Sequence, residues 1–197
     1  MLMNITHVKK RIVLTGGPGG GKTTAVDLIR REFSGKIATV PEAATMIFSG
    51  GIARSNNNHV LKTQQTAIFN LQKNLEDIQR ATFEHSIILC DRGSLDGLAY
   101  WPGNDDEFFQ AMGTTLTDEL ARYDAVIFFE SAAKSGESIK SNNPIRNESE
   151  KAAIILDDKL QTIWSQHPNF NLIQSAESFI NKVMFGITTI EKIIEQY

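Results

Sequence analysis

The sequence predicts an α/β fold of three layers, in which a five-stranded parallel sheet is covered by helices on both faces. Three observations carry that expectation. Five short, nearly uninterrupted apolar runs are spaced along the chain, longer segments with helical periodicity separate them, and a glycine-rich stretch joins the first run to the helix that follows it. Continuous apolar runs, rather than an in/out alternation, are what a strand shows when both of its faces are buried.

The runs are, in order, RIVLT (11–15), KIATV (36–40), SIILC (86–90), DAVIFF (124–129) and FNLI (170–173). Between the second and the third, residues from about His59 to Phe83 place Leu61, Ile68, Leu71, Leu75, Ile78 and Thr82 at spacings of three, four and seven, a helical stripe expected to be core. Phe179, Val183, Ile187, Ile190 and Ile194 repeat the pattern in a C-terminal helix expected to pack on the sheet. Two stretches are loop-like and expected to be mobile: SGGIARSNNN (49–58) and SAAKSGESIKSNNP (131–144). With no internal repeat, one domain is expected over residues 1–197, with a lid-like segment at 131–147.

Composition narrows the function. A chain of 197 residues with 41% hydrophobic and 22% charged residues suits one globular domain with an ample core. Its net charge of −3 supplies no basic field for a phosphate backbone, so the expected partner is a small molecule rather than a nucleic acid. Cys90, the single cysteine, ends the third run and is expected to be a buried thiol in a reducing cytoplasm. No apolar stretch approaches the ~20 residues that span a bilayer, and the opening MLMNITHVKKR lacks the apolar core of a secretion signal, so a soluble cytoplasmic protein is expected.

The strongest local motif is GGPGGGKT, Gly16 to Thr23, which fits the P-loop pattern G-x-x-x-x-G-K-[ST] and lies between a strand and a helix. Glycines let backbone N–H groups turn inward around phosphate oxygens, and the helix N-terminus adds partial positive charge. Gly16, Gly17, Pro18, Gly19, Gly20, Gly21, Lys22, Thr23 and Thr24 are therefore the expected nucleotide-binding set. Lys22 is expected to reach the β- and γ-phosphates and the Thr23 hydroxyl to ligate Mg²⁺, with ATP or GTP as the nucleotide. No N-K-x-D or T-K-x-D is present for guanine recognition of the small-GTPase type. FSGG (48–51) matches the signature loop of transporter ATPases only superficially, because it follows the P-loop by about thirty residues.

The third run stops on two opposite charges, Asp91 and then Arg92. A strand-end aspartate is the second expected Mg²⁺ ligand. ATPases that hydrolyse commonly follow it with a glutamate that activates water. An arginine cannot act as that base, but it can bind phosphoryl oxygens and spread the charge that develops in transfer. Asp-Arg therefore suits transfer to a bound acceptor better than hydrolysis, with an ion pair that closes a strand end as the lesser alternative.

RIVLTGGPGGGKTT, VPEAA, CDRGSLDGLAYW and NPIRNESE, in that order, resemble the P-loop family typified by the ribosylnicotinamide kinase domain of NadR, an AAA-domain type loosely related to nucleoside and thymidylate kinases. The resemblance covers nearly the whole chain and implies a nucleoside-kinase-like P-loop NTPase fold. It implies that Glu42, in VPEAA, faces the acceptor hydroxyl, although a helix-start glutamate fits the same position. It further implies that Arg146, in PIRNESE, closes from the lid over the phosphates, a place equally suited to an exposed helix-start arginine. Asp96 and Tyr100 would line the acceptor pocket, or Asp96 would cap the next segment. Arg54 matches nothing. The expected catalytic set is Lys22, Glu42, Asp91, Arg92 and Arg146, in a kinase for a nucleoside or riboside-like hydroxyl. The same family holds the TRPL translocation defect protein, a binder of GTP and phosphatidic acid, so a nucleotide-binding regulatory module that recruits a lipid or protein partner is the alternative.

Overall fold

The computed structural model of the chain describes residues 10–83, 87–135, 150–175 and 178–195. In chain order the elements are β1 (Lys10–Thr15), α1 (Lys22–Glu32), β2 (Ile37–Val40), α2 (Ala43–Ser49), α3 (Asn58–Thr82), β3 (Ile87–Asp91), α4 (Asp96–Ala99), α5 (Asp105–Met112), α6 (Leu116–Leu120), β4 (Ala125–Phe129), a 3-10 turn (Ala132–Ser135), α7 (Glu150–Trp164), β5 (Phe170–Ile173) and α8 (Phe179–Glu195). The five strands form one parallel sheet in the order β2-β3-β1-β4-β5. This is the doubly wound P-loop arrangement the apolar runs predict, and the first crossover skips a strand, so β3 lies between β1 and β2.

Both faces of the sheet are buried, which is why the strands read as continuous apolar runs. Ile12, Leu14, Leu89, Ile127 and Phe129 pack against Ala25, Val26 and Ile29 of α1 and Val183, Ile187 and Ile190 of α8. Val13, Ile88, Cys90, Val126 and Phe128 pack on the other face against Phe69 of α3, Leu98 of α4, Phe108 of α5 and Leu160 and Trp164 of α7. Burial pushes the Cys90 thiol well above its ordinary pKa, as expected of a structural thiol. No helix among the described residues is long and apolar enough to cross a membrane.

Two sequence expectations need correction. The buried face of α3 is not the predicted apolar stripe: Gln65, Phe69, Gln72 and Glu76 face inward, whereas Leu61, Ile68, Leu71 and Leu75 are half-buried and Ile78 is 56% exposed. The inward face is polar because Glu76 there accepts hydrogen bonds from Arg11 (2.8 Å), Arg122 (2.7 Å) and the Tyr123 hydroxyl (2.8 Å). Phe179, placed in the core of the C-terminal helix, is 42% exposed. FSGG (48–51) is the end of α2, with Gly50 as its C-cap and Gly51 at φ 104°. Of the segment 131–147, residues 136–147 lie outside the described residues.

Candidate functional site

The phosphate loop leaves β1 at Thr15. Gly16 has φ 126°, and a Cβ there would lie 2.0 Å from the Phe129 carbonyl oxygen, so no other residue fits the turn. The loop ends at Gly21, the N-cap of α1. Lys22 is 3% exposed and its ammonium donates to the carbonyls of Gly16 (2.8 Å) and Gly17 (2.6 Å). Thr23 and Thr24 are exposed on the first turn of α1. The fully buried Asp157 of α7 accepts from the N–H of Gly17 (2.6 Å) and of Ser131 (3.0 Å), and the Ser131 hydroxyl donates to the Pro18 carbonyl (2.7 Å). The start of the lid-like segment is thereby tied to the phosphate loop.

On the neighbouring strand, Asp91 is the last residue of β3 and is in register with Leu14. Arg92 then takes φ 77°, the single positive φ of a non-glycine residue among the described residues. Its N–H donates to the Leu14 carbonyl (2.9 Å) and its side chain turns back over the sheet edge. Nε donates to Glu42 (3.2 Å), and Nη1 donates to the Gly16 carbonyl (2.6 Å) and to Asp96 (3.0 Å). Burial alone would lower the guanidinium pKa, but the Asp96 and Glu42 carboxylates outweigh it and hold the charge more firmly than in water.

Glu42 occupies the N-cap position of α2 without capping it. One carboxylate oxygen accepts from Arg92 and the other from the Thr45 hydroxyl (2.6 Å). It is thus a helix-start residue by position and an arginine partner by contact. Asp96 is the first residue of α4, and Leu95 holds the cap position, so the capping expectation fails. Its Oδ1 instead accepts from the Thr15 hydroxyl (2.8 Å) and the Trp164 indole N–H (2.8 Å).

Glu42, Arg92 and Asp96 border a cleft of about 60 Å³ that Pro18 of the phosphate loop lines on one side. Ala43, Ala44, Phe48, Ile68, Gly93, Gly97 and Tyr100 supply largely apolar walls, with Gln65 and Gln72 among them. Apolar walls with a few polar groups at one end are usual for small-molecule sites. Arg54 lies at the rim, its guanidinium 4.4 Å from the centre of the Phe48 ring, in the geometry of a cation–π contact.

Of the residues expected from sequence, the fold brings together the phosphate loop with Lys22, the Asp91-Arg92 strand end, Glu42, Asp96 and Tyr100; Arg146 lies outside the described residues. Sequence reasoning missed Asp157, Trp164, Gln65, Gln72 and Phe48. One signal was available: Asp157 sits among Ala153, Leu156, Leu160 and Trp164, a carboxylate at core-facing helical spacing. A charge there is rarely buried without a partner.

The chain is similar in fold to deoxyadenosine kinase from M. mycoides, solved with bound dATP, at 12% identity and a TM-score of 0.62, over 92% of this chain and 99% of that one. It is similarly related to thymidylate kinase from Candida albicans, at 15% identity and a TM-score of 0.64, over 96% of this chain and 92% of that one. At these identities the likeness establishes the fold. Comparison with curated protein sequences gives no match. A family description, AAA domain (AAA_28), matches residues 11–178, and with that match running from the first strand to the start of the last helix, the chain belongs to this family of AAA domains.

Proposed function

We propose that the protein is a Mg-ATP-dependent small-molecule kinase that transfers a phosphoryl group to a hydroxyl of a nucleoside or riboside-like acceptor. One observation carries the reading: a cleft with largely apolar walls opens directly beside the phosphate loop, with the Glu42–Arg92 pair at the junction. The fold shared with two kinases supports it, and the dATP bound to one of them favours an adenine nucleotide. The resemblance of VPEAA and DRGSLDGLAYW to the NadR-like kinases points to a riboside.

In this reading Lys22 and the backbone N–H groups of the loop hold the β- and γ-phosphates. The Thr23 hydroxyl and the Asp91 carboxylate are hard oxygen donors, which suits Mg²⁺, an ion that takes one or two protein ligands and completes its shell with phosphate and water. When bound, Mg²⁺ neutralises charge on the phosphates. Glu42 orients the acceptor hydroxyl and receives its proton. Arg92 spreads the charge on the moving phosphoryl group while holding Glu42 in place. In a loose transition state, positioning and charge stabilisation matter more than strong base catalysis, so a carboxylate already held at the cleft mouth is sufficient. The buried Cys90 thiol is in keeping with a reducing cytoplasm.

The test is ADP release from Mg-ATP in a panel of nucleosides and ribosides. We expect at least one acceptor to raise the rate well above the acceptor-free background. Tight Mg-ATP binding with no acceptor-dependent ADP release across the panel would overturn the kinase reading.

A further inference from the structure

Gln72 lies on the buried face of α3 at the floor of the cleft and is 2% exposed. Its amide nitrogen donates to the Arg92 carbonyl (3.1 Å) and to Glu76 (3.2 Å), and its amide oxygen accepts from the Ala43 N–H (3.4 Å). The surroundings determine which way the amide faces: two acceptors meet the nitrogen and one donor meets the oxygen, and a flipped amide would oppose all three. The same side chain therefore grips the peptide that follows Glu42 and the peptide that follows Arg92.

Arg92 is the second observation. Its left-handed backbone, at φ 77°, is unfavourable for a residue with a Cβ and persists only where the surroundings over-determine it. The Leu14 carbonyl holds its N–H and Gln72 holds its carbonyl, so both sides of the strained residue are pinned. Gln72 is itself anchored, because Glu76 is fully buried and fixed by Arg11, Arg122 and Tyr123.

We infer that Gln72 is a positioning residue for phosphoryl transfer: it holds Arg92 in its left-handed conformation and keeps the Glu42 and Arg92 side chains in register at the cleft. The role in transfer rests on the kinase reading above. Only an uncharged amide offers two donors and one acceptor at this reach, so no other natural side chain of this length replaces it.

Gln72→Met keeps the length and volume and removes all three bonds; Gln72→Leu, also uncharged and of similar volume, removes the same bonds and serves if the first variant does not fold. Two readouts are taken on the whole protein. With an acceptor from the panel, kcat is expected to fall by roughly tenfold or more while KM for ATP stays within about twofold, the split that misorientation of the acceptor side produces. Proton exchange of the Arg92 Nε–H, followed by ¹⁵N NMR, needs no turnover and is expected to speed up by about tenfold as the Glu42 contact loosens. A folded variant with unchanged kcat and unchanged Nε–H exchange overturns the assignment. If the unmutated protein turns over no acceptor, the kinase reading falls, and the exchange readout alone decides whether Gln72 holds Arg92.

Discussion

Glu42→Gln separates a catalytic carboxylate from a helix-start residue, because the structure gives the two roles different magnitudes. One Glu42 oxygen accepts from Arg92 Nε at 3.2 Å and the other from the Thr45 hydroxyl at 2.6 Å, with the side chain 17% exposed. Glutamine retains an acceptor for Arg92, and its NH₂ can donate to the Thr45 hydroxyl oxygen, which accepts as readily as it donates. The substitution removes only the charge on a hydrogen bond that is partly screened by water. A charge-assisted bond contributes about 1.5–3 kcal/mol and a neutral one about 0.5–1.5, so the loss of stability should be near 1 kcal/mol. Removal of a group that accepts the proton in transfer lowers kcat by about 10²–10⁴-fold, or about 2.7–5.4 kcal/mol. We therefore expect a urea midpoint only slightly reduced, an ATP Kd within about twofold of the original, and a kcat at least roughly a hundredfold lower. Turnover at the full rate on an acceptor the unmutated protein phosphorylates would show that Glu42 only starts a helix.

Lys22→Ala should weaken Mg-ATP binding by about tenfold or more, since it deletes a charge-assisted hydrogen bond to phosphate; calorimetry measures it, and equal affinity would remove Lys22 from the site. Asp96→Ala strips partners from Thr15, Trp164 and Arg92 at once, and although Arg92 keeps Glu42 and Gly16, a cost of about 3–5 kcal/mol is expected in urea unfolding. A loss below about 1 kcal/mol would mean that these buried donors find other acceptors. Burial tends to raise the pKa of Glu119, but hydrogen bonds from Lys73, Ser94 and Thr114 outweigh it, so the folded value is below the ordinary carboxylate range. A depressed carboxylate stabilises the fold above that range and loses the effect as pH falls through its folded value. Acid unfolding curves should show this, and Glu119→Gln should flatten them; identical curves would refute it.

The strands were legible because each is buried on both faces, and a continuous apolar run needs no partner to be recognised. The phosphate loop was legible because its motif is local: glycines, lysine and threonine lie within eight consecutive residues, 16–23. The face of α3 was misread for the opposite reason. Its inward Gln72 and Glu76 meet Arg92, Arg11 and Tyr123, and polarity at those positions has meaning only once the partners are in place. Asp157 and Gly17 are 140 residues apart, and Trp164 and Asp96 are 68 apart, so no window of sequence holds both members of either pair. α4 spans four residues and shows no periodicity at all. α5, by contrast, carries its own punctuation, with an Asn104 side-chain cap, three acidic residues in the first turn and Gly113 in the left-handed region at its end.

The order of the charges at the end of β3 follows from the strand order. Because β3 lies between β1 and β2, whatever leaves its carboxyl end has the phosphate loop on one side and the Glu42 turn on the other. Asp91 is still within the ladder, opposite Leu14, and its side chain is directed to one face of the sheet as a strand residue's must be. The following residue is the first that is free to leave the ladder, and its left-handed turn reverses the side chain across the edge, toward Gly16 and Glu42 together. An arginine one position earlier would be held by the strand and could not make that reversal. An aspartate one position later would face the Gly16 carbonyl and the Glu42 carboxylate, two acceptors it cannot bind. Asp before Arg thus follows from topology and hydrogen-bond chemistry: a carboxylate ends the strand, and the guanidinium that follows joins the phosphate loop to Glu42 at the cleft.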